Sequence, residues 1–212
     1  MFRVIEKKQL TQGVTQLEIE APDIAAKTEA GQFVVVVSRE DSERIPLTIA
    51  DSDKKKGTIT LIFQEVGFST KELGGLNVGE HILHILGPLG TPTHIEKYGT
   101  VICIAGGVGI AEVWPVVKAM KEAGNRVLGI LGARSKDLII LEDKLSGACD
   151  ELFITTDDGS YGREGFVTDS LRDLLEAVER STHTEYPALV YSVGPVAMMK
   201  AVAALTKEYH IK

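Results

Sequence analysis

The run Val101-Ile102-Cys103-Ile104-Ala105 ends in Gly106-Gly107-Val108-Gly109-Ile110-Ala111, and a helical spacing of apolar residues begins at once. A bare backbone between a strand and a helix lets a pyrophosphate approach main-chain N–H groups at the helix N-terminus, where the peptide dipoles favour an anion. The turn is not a complete G-x-G-x-x-G, because Glu112 stands three past Gly109; taken alone it is equally a plain structural turn. Three further strand ends carry small or polar residues: Gly132-Ala133-Arg134-Ser135-Lys136-Asp137, Thr156-Asp157-Asp158-Gly159-Ser160-Tyr161-Gly162, and Gly194-Pro195. One such loop is a turn, but four on one rim of a parallel sheet form a crevice, and the carboxyl edge is where such sheets take ligands. Asp157 and Asp158 suit ribose hydroxyls, although acidic residues are also ordinary turn formers. Arg134 has two open readings, a phosphate partner or a solvated surface charge.

The first half of the chain offers two more candidates. Arg44-Ile45-Pro46-Leu47-Thr48-Ile49-Ala50-Asp51 sets a cation, a rigid proline and a hydroxyl beside an apolar strand. Gly67-Phe68-Ser69-Thr70-Lys71-Glu72-Leu73 opens a helix with Ser or Thr in capping position, which is an ordinary cap or a second anion site.

The elements that must position these residues fall into two grammars. Up to about residue 95, strands alternate with turns: Thr15–Glu20 with period two, Gln32–Val37 as a continuous β-branched run suited to burial on both faces, then Thr58–Phe63 and His81–Leu86. Short strands at this spacing predict a small antiparallel barrel. After Gly87-Pro88-Leu89-Gly90 and Thr91-Pro92 the pattern becomes strand–helix alternation. Strands are expected at 101–105, 126–131, 152–155 and 188–193, and helices at about 110–120, 137–146, 167–179 and 196–208. Such alternation predicts a doubly wound parallel sheet covered on both faces. The expected domains are 1–96, an antiparallel β-barrel, and 97–212, an α/β domain.

Composition narrows the function classes. A net charge of −7 argues against nucleic acid as a partner. No apolar run approaches the roughly 20 residues of a membrane span, and the N-terminus lacks a signal-peptide core. Cys103 and Cys149 are too few for a disulfide framework, and Cys103 lies in a buried-strand pattern, so it reads as a small core hydrophobe. A cytoplasmic protein is expected, with no metal site of its own.

Taken in order, Arg-x-Pro-Leu-Thr, Gly-x-Ser-Thr, Gly-Pro-Leu-Gly, Gly-Gly-x-Gly-x-Ala and x-Gly-Pro resemble the ferredoxin–NADP reductase superfamily over essentially the whole chain. Within it the phrases at 44–51, 105–111, 131–137 and 156–162 resemble anaerobe electron-transfer subunits: the small subunit of NADH-dependent ferredoxin:NADP oxidoreductase (the sulfide dehydrogenase beta subunit), and the electron-transfer subunit of dihydroorotate dehydrogenase. The resemblance implies FAD on the barrel and NAD(H), or NADP(H), on the second domain. Pro46, Leu47 and Thr48 would line the isoalloxazine, with Arg44 a phosphate ligand. Gly67, Ser69 and Thr70 would bind the FAD pyrophosphate. Gly106, Gly107, Gly109 and Ile110 would cradle the pyridine-nucleotide pyrophosphate, Asp157 and Asp158 would lie near its adenosine, Arg134 and Lys136 are candidates for a 2′-phosphate, and Gly194 and Pro195 would face the nicotinamide. Hydride would pass between nicotinamide and flavin, and electrons onward to a larger subunit carrying flavin and iron–sulfur centres.

The chain also departs from the family. Ile45 stands where many members have an arginine before the proline, which puts Arg44 one residue out of register. Leu47 replaces a common flavin-facing aromatic, and Val193 replaces a common cysteine. The group continues past the last helix into a cysteine-rich segment that ligates a [2Fe–2S] cluster, and those ligands are absent here, so a truncated chain is expected rather than a cluster-less variant. A dihydroorotate dehydrogenase subunit is the alternative, and a reductase fold kept as a non-catalytic scaffold is a third reading.

Overall fold

The structure, a computed structural model, describes residues 1–180 and 186–211. The chain divides into two compact units, residues 1–94 and 95–212.

The first unit is antiparallel. Strands β1 (Phe2–Thr11), β2 (Val14–Glu20), β3 (Phe33–Val37), β4 (Ile45–Asp53), β5 (Thr58–Gln64), β6 (His81–Ile82) and β7 (His84–Leu89) form one sheet in the order β6-β1-β2-β5-β4-β3-β7. Its two edges, β6 and β7, are consecutive pieces of chain joined at Leu83, whose N–H donates to Ser38 O, so the sheet curls into a nearly closed barrel. Short helices α1 (Pro22–Ala25) and α2 (Phe68–Gly74) accompany it. The core holds Leu17, Ile19, Val34, Val36, Ile59 and Leu61, all fully buried, each worth about 1.5–3 kcal/mol of transfer free energy.

Three details differ from the sequence pattern. The segment His81–Leu86 is two strands, because the chain leaves one barrel edge and joins the other at Leu83. Strand β1 has little period-two signal, since register shifts between Val4 and Glu6 and between Gln9 and Thr11 break its alternation. The β-branched run at β3 is buried on one face only: Val34 and Val36 enter the core, while Phe33, Val35 and Val37 stay half-exposed.

The second unit is a parallel sheet in the order β11-β10-β9-β8-β12. Its strands are β8 (Thr100–Gly106), β9 (Arg126–Ala133), β10 (Glu151–Thr156), β11 (Arg163–Glu164) and β12 (Leu189–Val193). Its helices are α3 (Gly109–Glu122), α4 (Glu142–Ala148), α5 (Val167–Arg180) and α6 (Val196–Glu208). The chain winds outward from β8 through β9 and β10, then returns to the far side of β8 as β12. Right-handed crossovers place helices from the two directions on opposite faces. The α5–α6 face packs Val167, Leu171, Leu175, Val202 and Leu205 on Ile102, Ile104 and Ile130.

The helix expected at 137–146 is displaced. Lys136–Leu138 is a single 3-10 turn, Leu141 turns at φ 56°, and α4 begins only at Glu142. Ile140 is buried, which commits the apolar stretch before α4 to packing. The acidic pair Glu142-Asp143 marks the true first turn.

Asn125, 3% exposed, ties the entry of β8 to the end of α3. Its Oδ1 accepts the N–H groups of Tyr98 (2.7 Å) and Gly99 (3.1 Å), and its Nδ2 donates to Glu96 O (2.8 Å) and Met120 O (2.9 Å). Cys103 is buried on β8, and desolvation pushes its thiol up to about 12. Cys149, beside the in-register Gly129, is pushed up to about 11, again chiefly by desolvation. Both remain protonated at neutral pH and are poor nucleophiles, as a packing role requires.

Candidate functional site

The sheet order puts a topological switch point between β8 and β12, and the two loops there lean on each other through bare backbone. A Cβ on Gly109 would lie 2.7 Å from Val193 O, and one on Gly194 would lie 3.1 Å from Gly106 N and Cα. Glycine is needed because the opposing atoms are main chain and cannot rotate away. Gly107 takes φ +58°, a left-handed turn, and its N–H donates to Gly132 O at 2.9 Å.

The hydrogen bonds of the turn leave two amides over. Ile110 N–H closes back on Gly107 O and Ala111 N–H on Val108 O. Among the described residues no backbone acceptor serves the N–H of Val108 or Gly109, the two that open the helix. Ile110 is fully buried, so it backs the turn from the core with its N–H already bonded. Glu112, in the same first turn, is half-buried, and desolvation holds its carboxyl above the usual range.

The next two strand ends are tied together. Asp157 N–H donates to Ala133 O (3.0 Å), Asp158 N–H to Arg134 O (3.2 Å) and Lys136 N–H to Ser160 Oγ (2.8 Å). Hydrogen bonds from Ser160, hydroxyl first and N–H second, hold Asp158 below the ordinary carboxylate range, so Asp158 organises its own loop. The Lys136 ammonium lies 4.9 Å from the centre of the Tyr161 ring. Arg134 and Asp157 are exposed at this rim. Of these cations, Arg134 is the one without a side-chain partner among the described residues.

In the barrel unit, β4 sorts its candidates by face. Ile45 and Leu47 pack against the core, while Pro46 is exposed and Thr48 half-exposed on the other face. Arg44 precedes the strand with the parity of Pro46 and Thr48, so the shifted register leaves the cation outside. Pro46 pairs with Val35, Thr48 with Phe33, and Val35 with Leu86, which is 64% exposed. The outward sides of β3, β4 and β7 thus make an apolar strip that the barrel core does not use. The sequence pattern does not disclose this strip, because a continuous β-branched run reads as buried on both faces.

Arg44 borders an open depression of about 280 Å³ with Val37, Glu40, Ser42, Leu83 and His84. At α2 the N-cap is Gly67, not Ser or Thr: Thr70 Oγ1 accepts Gly67 N–H (3.0 Å) and donates to Gly67 O (3.1 Å). Ser69 is buried and its hydroxyl donates to Glu43 Oε2 at 3.2 Å. Phe68 and Val66, 79% and 72% exposed, flank this turn.

Among the described residues no group of three or more His, Cys, Asp or Glu side chains is placed to hold a metal ion. Two protonated thiols do not make up an iron–sulfur site, which takes four ligands. No helix among the described residues is long and apolar enough to cross a membrane.

Residues 103–204 match the family model of the oxidoreductase NAD-binding domain. An uncharacterised protein of the adh 3′ region of Clostridium beijerinckii is 44% identical over 218 residues, covering 100% of this chain and 72% of that protein. A Thermotoga maritima homologue of the dihydroorotate dehydrogenase B (NAD(+)) electron transfer subunit is 39% identical over 208 residues, covering 98% of this chain and 71% of its own. Among solved structures, a chain from NADH-dependent reduced ferredoxin–NADP oxidoreductase, studied for flavin-based electron bifurcation, is 37% identical with a TM-score of 0.90, covering 100% of this chain and 74% of that one. The chain belongs to the ferredoxin–NADP reductase superfamily.

Proposed function

We propose that this chain is an FAD-dependent electron-transfer subunit that passes hydride between NAD(P)H and FAD and electrons onward to a larger oxidoreductase subunit carrying flavin and iron–sulfur centres, of the ferredoxin:NADP oxidoreductase or sulfide dehydrogenase type. The observation that carries the reading is the glycine rim at the switch point, where Val108 and Gly109 keep their N–H groups open at the start of a 14-residue helix. In this reading residues 1–96 hold FAD and residues 97–212 hold NAD(P). Gly106, Gly107 and Gly109 admit the pyrophosphate, Ile110 supports the turn from behind, Arg134, Asp157 and Asp158 border the adenosine, and Gly194 and Pro195 face the nicotinamide. On the barrel, Pro46 and Thr48 offer the outward face of β4 to the isoalloxazine, and Leu47 contributes main chain. Arg44, Gly67 and Thr70 serve the FAD phosphates, and Ser69 joins them by exchanging Glu43 for phosphate.

When bound, the flavin supplies the two-electron centre for the nicotinamide hydride. The chain contributes position and water exclusion, and hydride transfer needs no side-chain acid or base. Two free thiols suit a cytoplasmic protein. The test is reconstitution: the purified protein incubated with FAD and freed of excess is expected to be yellow, and a protein that stays colourless overturns the reading.

Nucleotide choice rests on Arg134. Arg134→Ala is expected to weaken NADP⁺ binding about fivefold, through loss of a charged phosphate partner, while NAD⁺ affinity stays within about twofold. Calorimetric titration of both nucleotides measures it. A second reading, the electron-transfer subunit of a dihydroorotate dehydrogenase, is favoured by the 39% identity to the Thermotoga maritima homologue. It requires that dihydroorotate reduce the flavin of the chain together with its partner subunit.

A further inference from the structure

Met198 stands in the first turn of α6, half-buried, with its thioether wedged between the two loops of the switch point. A Cβ on Gly106 would lie 2.5 Å from Met198 Sδ and 3.1 Å from Pro195 Cδ, and one on Gly194 would lie 2.7 Å from Met198 Cε. The sulfur therefore occupies space that both glycines leave open. The helical spacing of 196–208 marks Met198 only as a packing residue, and it does pack in part on the α5–α6 core. Its terminal atoms, however, reach the rim.

The rim changes character across β8. On the β9–β10 side it carries Arg134, Ser135, Asp157 and Asp158. On the β12 side, Val193 to Met199 includes no charged residue, and Val196 is 62% exposed. A dinucleotide with its pyrophosphate on the opening amides of α3 lays one nucleoside to each side. Hydroxyl- and phosphate-bearing adenosine suits the polar side, and a flat nicotinamide ring suits the apolar side. Polarisable thioethers make favourable contacts with aromatic rings, worth about 0.3–1.5 kcal/mol.

Resting on the NAD(H) reading above, we infer that Met198 forms the floor of the nicotinamide subsite, touching the ring and setting its height by filling the gap between Gly106 and Gly194. NAD⁺ and ADP-ribose, which lacks only the nicotinamide, separate this role from general packing. With the FAD-loaded full chain and calorimetric titration, Met198→Ala is expected to weaken NAD⁺ about fivefold and leave ADP-ribose within about twofold. Met198→Leu, close in volume, keeps the loops packed and loses the thioether, so NAD⁺ weakens about twofold to threefold and ADP-ribose is unchanged. The leucine variant decides if the alanine variant does not fold. Equal weakening of both ligands, or no change in either, overturns the inference while leaving the nucleotide site in place. A parent protein that binds neither ligand overturns the NAD(H) reading itself.

Discussion

Gly109→Ala is expected to weaken NAD⁺ binding by about 100-fold or more, close to 3 kcal/mol, and to leave FAD content unchanged. The cause is crowding rather than backbone conformation. The added Cβ would sit 2.7 Å from Val193 O, 3.0 Å from Val193 C and 3.1 Å from Gly194 Cα, all main-chain atoms. Relief requires either that the end of β12 draw back from β8, where Val193 pairs with Ala105, or that α3 tilt. Both displace the Val108 and Gly109 amides from the loop that carries Gly194 and Pro195, and misplacement of this order is costly in an oriented site. Overpacking also costs about 1–3 kcal/mol of stability, so the melting temperature falls by several degrees. Gly107→Ala is the control: its Cβ meets nothing within 4 Å and its only burden is φ +58°, worth about 1–2 kcal/mol. Titration calorimetry and thermal melts check both variants, and a Gly109→Ala protein that binds NAD⁺ within threefold of the parent contradicts the close-approach account.

The second large effect is on stability. Asn125→Ala removes four hydrogen bonds at once around a buried position, from the N–H groups of Tyr98 and Gly99 and to the carbonyls of Glu96 and Met120, of which Met120 O keeps the main-chain N–H of residue 125 at 3.2 Å. Unsatisfied buried polar groups cost about 1–3 kcal/mol each where water cannot reach them. A net loss of about 3 kcal/mol is expected, because Met120 O keeps a donor and some of the other groups regain water once the side chain is gone. Denaturant unfolding should show a lower midpoint with unchanged slope. Asn125→Asp restores only the acceptor half and should fall between the two. An alanine variant within 1 kcal/mol of the parent would show that the main-chain groups of Tyr98, Gly99 and Glu96 are satisfied without the Asn125 side chain.

Both effects explain what could and could not be read from the chain. The glycine turn, the polar strand ends and the change from strands to strand–helix alternation are local patterns, and they carried the two-part fold. The reason Gly109 must be glycine lies in Val193 O, far along the sequence, and only the β8–β12 pairing brings it near. The open amides belong to Val108 and Gly109 rather than Ile110, because hydrogen bonds inside the turn engage Ile110, and spacing does not reveal that. At β3 the apolar run is two faces, one in the core and one half-exposed, and a continuous β-branched run does not separate them. Leu141 at φ 56° delays α4 by an amount that residue types do not disclose. The Ser69–Glu43 contact crosses between segments with no shared motif. Met198 belongs to the same class, since its helical spacing is correct and its reach toward Gly106 and Gly194 is purely three-dimensional.

The central claim is that one chain carries two nucleotides whose rings exchange a hydride. Anaerobic titration of the FAD-loaded protein with NADH, followed by the visible flavin absorbance, tests it most directly. Complete bleaching at about one NADH per flavin is the predicted result. A protein that holds FAD yet keeps it oxidised in excess NADH and excess NADPH would contradict the account.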